Sequence, residues 1–495
     1  MTVKAVPFGL RVFVVGAILR LIPVLLLRHL GIGLDDMYQY DMLARSLAAG
    51  NGFRWYASQD LEPLQRYVTF DFSGVAYDSQ RGVPTSFRAP LYPAFLALIY
   101  WLTGAGPGRF LVARLVQAFL SAALAPLTYL AARRFLAGNV DTEGQGERAA
   151  RLAAWTMAVY PILLLYPLAL ATENLFFVLL LASFLVLLGS ATPPQEGDDR
   201  RATVGFVGAG VLVGLTALTR SIILPFAGGA VLWGWFVVRQ RRAALGMALA
   251  FGLTIAPWVT RNSLLHGQLT GVETSLGYNL YLGYHPQGNG SFVFGPSFDL
   301  IPIVDDLERD RLGTQKAMEF LRASPERFFP LMLNRLSFFF GLEKRALVYF
   351  YSNNLFGYIP FPLLLIIALI LFLPFVVVSV SAALGTALLR RNAGTILFLL
   401  LVVCYVTPHA LILAEDRFHL ALIPYFAMVA AQFWTAGWTA LGWRWREGGA
   451  GRWAVVLAVI MAALLIVNWG WELVRDADRI VPLFGPNGNR LHFPY

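Results

Sequence analysis

Of the 495 residues, 57% are hydrophobic and only 14% charged, and mean hydropathy is +0.61. This excludes an ordinary soluble domain, in which about a quarter of residues carry charge. A formal net charge of +10 points to nucleic acid in a soluble protein. Here the arginines cluster at the ends of apolar segments, where membrane orientation and anionic lipid account for them, so no nucleic-acid partner is expected. The single cysteine, Cys404, lies inside an apolar run and forms no intrachain disulfide.

Lys4 and Arg11 precede an apolar run that continues to Leu30 without a small-residue cleavage site, so the first helix is expected to remain as an anchor. Directly after it, GIGLDDMYQYDMLARSLAAGNGF opens on adjacent carboxylates, Asp35 and Asp36, at the head of an amphipathic stretch over 37–50. The apolar piece RAPLYPAFLALIYWLTG, 88–104, is ambiguous: counted as a span it would put every later arginine cluster outside, so it is read as a helix lying on or dipping into the outer face. Later runs bring the total to about eleven helices, since roughly 20 apolar residues cross a hydrocarbon core. They are placed at 8–30, 109–132, 151–170, 174–191, 203–219, 221–238, 243–259, 356–389, 393–413, 419–441 and 452–470.

Five connections hold the basic clusters: Arg133, Arg134, Arg148 and Arg151; Arg200 and Arg201; Arg239, Arg241 and Arg242; Arg390 and Arg391; Arg444 and Arg446. The positive-inside rule makes them cytoplasmic, with the N-terminus inside and the C-terminal tail outside. DTEGQGER and QEGDDRR then read as solvated inner loops. Two long connections, 31–108 and 260–355, face outward, and ordered loops of that length are usually functional. The expected fold is an all-α polytopic membrane protein, with a catalytic transmembrane unit over 1–441 and a last helix with a short outer tail over 442–495.

With that topology Asp35, Asp36, Arg88, Glu173, Arg220, Arg261, Asp416 and Arg417 share one depth, at the outer ends of helices or just beyond. Such groups are expensive near hydrocarbon and tend to face a protein interior or an aqueous cavity. Paired carboxylates with several arginines suit group transfer from a phosphate-bearing lipid. One carboxylate takes the proton of an attacking hydroxyl, while guanidinium groups bind the phosphate and stabilise its growing charge as the glycosidic bond breaks. A base on one face of the sugar and the phosphate on the other would invert the anomeric centre.

Structural roles compete for the same residues. Asp35 or Asp36 is a candidate N-cap of the amphipathic helix, and Glu173 in ALATENLFF a candidate cap of the helix from Asn174. Arg220 in LTALTRSIILP and Arg417 in AEDRFHLALIP are equally placed to snorkel or to pair with an acid such as Asp416. Arg20, inside the first apolar run, is expected to pair with a neighbouring helix. The aromatic residues of GYNLYLGYHPQGNG fit an interfacial belt or stacking against a sugar or isoprenoid. Tyr40, Tyr92, Asn279 and Tyr281 are the candidate substrate contacts. His266, His285, His409 and His419 have no metal-site spacing; a divalent metal is compatible with the sequence but demanded by nothing in it. No P-loop, GxGxxG or nucleophile elbow offers a cradle for a soluble nucleotide.

In order, DDMYQYDMLARSLAAGNGF, RAPLYPAFLALIYWLTG, AARRFLAG, YPLALATENLFF, GLTALTRSIILP, PWVTRN and GYNLYLGYHP resemble integral-membrane glycosyltransferases of the GT-C class. The likeness is to the bacterial branch similar to protein O-mannosyltransferases and lipid A aminoarabinose transferases. AMEFLRASPERFFPLMLNRLSFFFG and RFHLALIP extend it across most of the chain. The resemblance implies a GT-C fold and an extracytoplasmic transferase in a bacterial plasma membrane, using a polyprenyl-phosphate sugar and a hydroxyl acceptor on a protein, glycan or lipid. It matches Asp36, followed by Tyr40 and Ala44, to the first-loop catalytic acid, with Asp35 as the neighbour able to substitute. Glu173 matches the second-loop acid, and Arg88 a basic residue near the donor phosphate. Arg220, Arg261 and Arg417 fall in further motifs and are assigned to the phosphate. Phe87 stands where the aminoarabinose transferases carry an acid, which puts their metal site in doubt here. The competing classes are a lipid-linked-sugar flippase, which would hold ionisable groups at the midplane of repeated halves, and a nonenzymatic assembly subunit.

Overall fold

A computed structural model describes residues 6–140, 142–191, 199–344, 347 and 359–483. The expectations for Lys4, Asp141, most of QEGDDRR, the end of the second long connection, the first residues of 356–389 and the final tail fall outside the described residues.

Nine described helices are long and apolar enough to cross a membrane, and a tenth crossing is the bent pair Gly144–Val159 and Pro161–Leu168, turned by 48°. Proline has no N–H for the preceding turn, which puts the bend at Pro161. The expected span 221–238 is a shorter helix, Leu224–Phe236, entered through a 3₁₀ turn at Ser221–Ile223. At 13 residues it is shorter than the crossings and, with the turn before it, runs alongside helix Ala393–Leu411. Trp233 Nε1 donates to the carbonyl of Ala393 at 2.9 Å, at the start of a helix whose far residue, His409, stacks 4.4 Å from Phe418. The protein is therefore an all-helical, multi-pass membrane protein.

The ends of the bundle are built differently. At the arginine-rich end, Asn139 Oδ1 accepts from the Arg390 amide at 2.8 Å and from Thr395 Oγ1 at 3.2 Å. Gln432 Nε2 donates to the Asn139 carbonyl at 3.0 Å. These bonds satisfy helix ends that hydrocarbon would leave unpaired. Deeper in the bundle, Arg20 is fully buried and donates to Ser121 Oγ and to the carbonyls of Gly16, Met157 and Ala158 at 3.0–3.1 Å. It pairs with neighbouring helices as expected, and its nitrogens are spent on structure.

The opposite end carries both long connections. The first contains helix Asp36–Ala48 packed on helix Leu91–Thr103 and one pair of two-residue strands, Arg54–Trp55 against Val83–Pro84. Helix Leu91–Thr103 buries Tyr92, Leu96, Ile99 and Tyr100 but exposes Leu98, Trp101 and Leu102. At 13 residues it extends about 20 Å at 1.5 Å per residue. That is too short to span and suits a helix lying at the interface. Asp41 fixes helix Asp36–Ala48 from behind, accepting from Arg45 at 2.8 Å, Arg109 at 2.8 Å and Tyr100 at 3.0 Å.

The second connection supplies helices Leu276–Tyr284, Asp306–Ala323 and Phe328–Phe339. The first two cross at Gly277 and Gly313. A Cβ at Gly277 would stand 1.9 Å from the Asp310 carbonyl oxygen, so the approach requires glycine. Asp306 locks this layer onto the first connection. It accepts from Thr85 Oγ1 at 2.8 Å and the Ser86 amide at 2.6 Å, and pairs with Arg309 at 2.5 Å. The segment so held runs directly into Arg88.

Candidate active site

Asp35 and Asp36 separate in role through their backbone positions. Asp35 is the N-cap of helix Asp36–Ala48, its Oδ1 accepting from the Met37 amide at 2.8 Å. Asp36 is the first helical residue, where the positive end of the helix dipole favours a carboxylate. Its side chain is packed among charged groups yet 41% exposed, so solvent reaches it.

Two arginines from distant segments face its two oxygens. Arg88 Nη2 donates to Asp36 Oδ1, and Arg417 Nη2 stands 3.6 Å from Oδ2. Burial pushes the Asp36 carboxyl up, but the charges of Arg88, Arg417 and Arg220 outweigh it and hold the group below the ordinary aspartate range. Arg88 is itself positioned on two sides: Nε donates to Gln39 Oε1 at 2.8 Å, and its guanidinium lies 5.4 Å from the Tyr40 ring and 5.1 Å from the Phe87 ring. Tyr40, one helical turn beyond Asp36, is buried against Tyr92 with ring centroids 5.1 Å apart.

The second carboxylate sits across the site. Glu173 begins helix Glu173–Ser190, is 4% exposed, and accepts from Arg220 Nη1 at 2.5 Å and from Thr172 Oγ1 at 3.1 Å. Phe418 joins the halves, since the guanidinium groups of Arg220 and Arg417 lie 5.2 and 5.6 Å from its ring. Asp36, Arg88, Tyr40, Glu173, Arg220 and Arg417 thus converge at one end of the bundle. They come from five separate segments of the chain.

Other candidates from the sequence lie elsewhere. Arg261 Nη1 donates to the Thr85 carbonyl at 2.6 Å and Nη2 to the Phe53 carbonyl at 3.3 Å, with the guanidinium 4.8 Å from the Trp258 ring. It fastens the first connection to helix Arg241–His266. Tyr281 donates to Asp299 at 2.5 Å and packs on His285 and Phe320, inside the second connection. Asn279 has only its backbone bond to the Ser275 carbonyl, at 3.1 Å, among the described residues. Tyr92 is fully buried, its hydroxyl donating to Gln117 at 2.5 Å, and supports Tyr40 from behind.

Three residues join the site that sequence reasoning missed. Glu273 accepts from the hydroxyl of Ser221, next to Arg220, and its charge bears on Arg88. Glu415 Oε2 stands 3.1 Å from Arg417 Nε. Tyr278, one turn before Tyr281, packs edge-on to Phe87 at 5.8 Å. Burial, with Asp36 adding to it, pushes its hydroxyl well above the ordinary tyrosine range. Glu415, two residues before Arg417, and Tyr278, within the aromatic stretch GYNLYLGYHPQGNG, carried a local signal; Glu273 did not. Among the described residues no group of three or more His, Cys, Asp or Glu side chains is spaced to hold a metal ion.

No protein-family model matches the chain, and no curated protein matches it by sequence. Among solved structures it is similar to the oligosaccharyltransferase of Archaeoglobus fulgidus. In the apo form the identity is 15% and the TM-score 0.47, over 98% of this chain and 60% of that one. In the complex with zinc and sulfate the TM-score is 0.45 at 16% identity, over 98% and 57%. It is also similar to ArnT from Cupriavidus metallidurans bound to undecaprenyl phosphate, with 14% identity, a TM-score of 0.39 and coverage of 88% and 79%. The chain spans about three fifths of the length of the oligosaccharyltransferase.

Proposed function

We propose that the chain is a glycosyltransferase that moves a sugar from a polyprenyl-phosphate donor to a hydroxyl acceptor, with inversion, on the extracytoplasmic side of a bacterial plasma membrane. The observation that carries this reading is the position of Asp36, a solvent-reached carboxylate whose two oxygens face Arg88 and Arg417. A base and cationic phosphate ligands then lie within reach of one sugar phosphate. Asp36 takes the proton of the acceptor hydroxyl as its oxygen forms the new bond to the anomeric carbon. The old bond to phosphate breaks, and the phosphate leaves with the electron pair. Arg88, Arg417 and Arg220 receive the charge that builds on it. Glu173 holds Arg220 in place, and Tyr40 supports Arg88.

The test is turnover in proteoliposomes supplied with polyprenyl-phosphate sugar. Free polyprenyl phosphate is expected to accumulate only when a hydroxyl acceptor is present. Asp36→Asn should lower that rate by about 10²–10⁴-fold, the usual contribution of a positioned base, while insertion and folding are retained. A flippase would move donor across the bilayer without releasing polyprenyl phosphate. Undiminished turnover in Asp36→Asn would remove the base assignment.

A further inference from the structure

The site holds its proposed base and its proposed phosphate ligands against one another. Arg88 donates to Oδ1 of Asp36, and Arg417 stands 3.6 Å from Oδ2 as an ion pair, so each oxygen that would accept a proton faces a cation. Each guanidinium is also tied at its other nitrogen. Arg88 Nε donates to Gln39 at 2.8 Å, and Arg417 Nε stands 3.1 Å from Glu415. Arg88 is fixed at its Nε edge by a hydrogen bond and Arg417 is held there by charge, while the Nη ends meet Asp36 and can change partner without moving either side chain out of the site. The side chains of Asp36, Arg88 and Arg417 are 41%, 19% and 27% exposed, so a ligand can reach all three heads.

From this arrangement we infer, building on the donor reading above, that the donor phosphate unmasks the base. Its oxygens take the Nη ends of Arg88 and Arg417 from Asp36, and the carboxylate can accept a proton only once a donor is seated. A phosphate is a strong competitor because guanidinium binds it bidentately. The exchange moves no covalent bond, and its consequence is order. A hydroxyl, water included, that enters before the donor meets a carboxylate with both oxygens engaged. One that enters after it meets a free base beside an activated anomeric carbon.

The groups around Asp36 agree on the direction. Arg88, Arg417 and Arg220 favour its charged form, while Asp35 and Tyr40 on its own helix and Tyr278 across the site supply no cation. Diverting Arg88 and Arg417 to an anion therefore raises the proton affinity of Asp36, and donor binding takes up protons in mildly acidic solution.

The experiment is isothermal titration of the detergent-purified protein with a short-chain isoprenyl methyl phosphodiester, which does not itself titrate. It is run at about pH 5, just above the ordinary carboxylate range, in two buffers of different ionisation enthalpy. The wild type is expected to take up a fraction of a proton per probe bound, and Asp36→Asn distinctly less, the remainder falling on Asp35, which burial pushes up and Arg417 also holds down. Arg88→Gln unmasks the base in advance, so its uptake should shrink as its affinity falls. Binding without uptake, or uptake undiminished in Asp36→Asn, overturns the exchange and leaves the donor reading standing. Undiminished uptake in Arg88→Gln also overturns it, since repulsion by the anion alone would then account for the effect. Failure of the wild type to bind the probe overturns the donor reading and the exchange together.

Discussion

Asp306→Ala should inactivate the protein from a position that touches no substrate. Asp306 is 4% exposed, and Arg309 beside it 2%. The pair meets at 2.5 Å, and the same carboxylate accepts from the Ser86 amide and the Thr85 hydroxyl. Truncation leaves Arg309 with the Ile303 carbonyl at 2.9 Å and the face of Phe87 at 4.2 Å. An unpaired buried charge costs about 3–5 kcal/mol, and the orphaned Ser86 amide adds about 1–3 kcal/mol. The stacking on Phe87 is present with or without Asp306, so it offsets nothing. The loss, about 4–8 kcal/mol, falls on the contact that holds Ser86, Phe87 and Arg88 against the second connection. Thermal unfolding in detergent is followed by tryptophan fluorescence, to which Trp55, 5.7 Å from Arg309, contributes as one of the chain's 13 tryptophans. Asp306→Ala should melt earlier than the wild type and lose transfer, whereas Asp306→Ala with Arg309→Met, which removes the charge as well as its partner, should recover part of the stability. Equal stability of the single and double variants would refute the reasoning, because the cost is attributed to a stranded cation.

Arg88→Ala should raise the donor KM more than it lowers kcat at saturating donor, measured by initial rates over a donor series; an unchanged donor KM counts against phosphate contact. The acid limb of kcat/KM should fall below the ordinary aspartate range, because the arginines hold the Asp36 carboxyl down against burial. A depressed carboxyl adds stability above its unfolded value and loses it as pH falls through the folded one. At 41% exposure that stabilising share is screened and small. The pH profile should therefore show in rate before it shows in melting temperature, and an acid limb above about pH 5 would contradict the pairing. Tyr281→Phe removes only the bond to Asp299 and should leave donor and acceptor kinetics within about twofold, the scale of a part-exposed hydrogen bond; a large change in either KM would place Tyr281 in the site.

Much of this architecture was written in the sequence for one reason: hydrocarbon penalises unpaired polar groups, so crossings need long apolar runs and charge accumulates at their ends. The inward anchoring of Arg20, the non-spanning helix Leu91–Thr103 and the meeting of Asp36, Arg88, Glu173, Arg220 and Arg417 at one end all follow from that penalty. It operates only within the bilayer. In the two long connections a polar side chain costs little until tertiary structure buries it, so nothing distinguishes Glu273 or Asp306 from a solvated acid before the connections fold together. Asp306 is separated from Thr85 by 221 residues, and the Asp36 pair depends on Arg417 near the other end of the chain. Tyr278 and Tyr281 make the same point at close range. They share one aromatic stretch, yet only the first packs on Phe87 beside Arg88, because the Gly277–Gly313 crossing sets how deep that helix sits. The charged groups of the site were therefore legible from their cost in the membrane, while the groups that aim them, paired across the two long connections, were fixed by packing that no local pattern encodes.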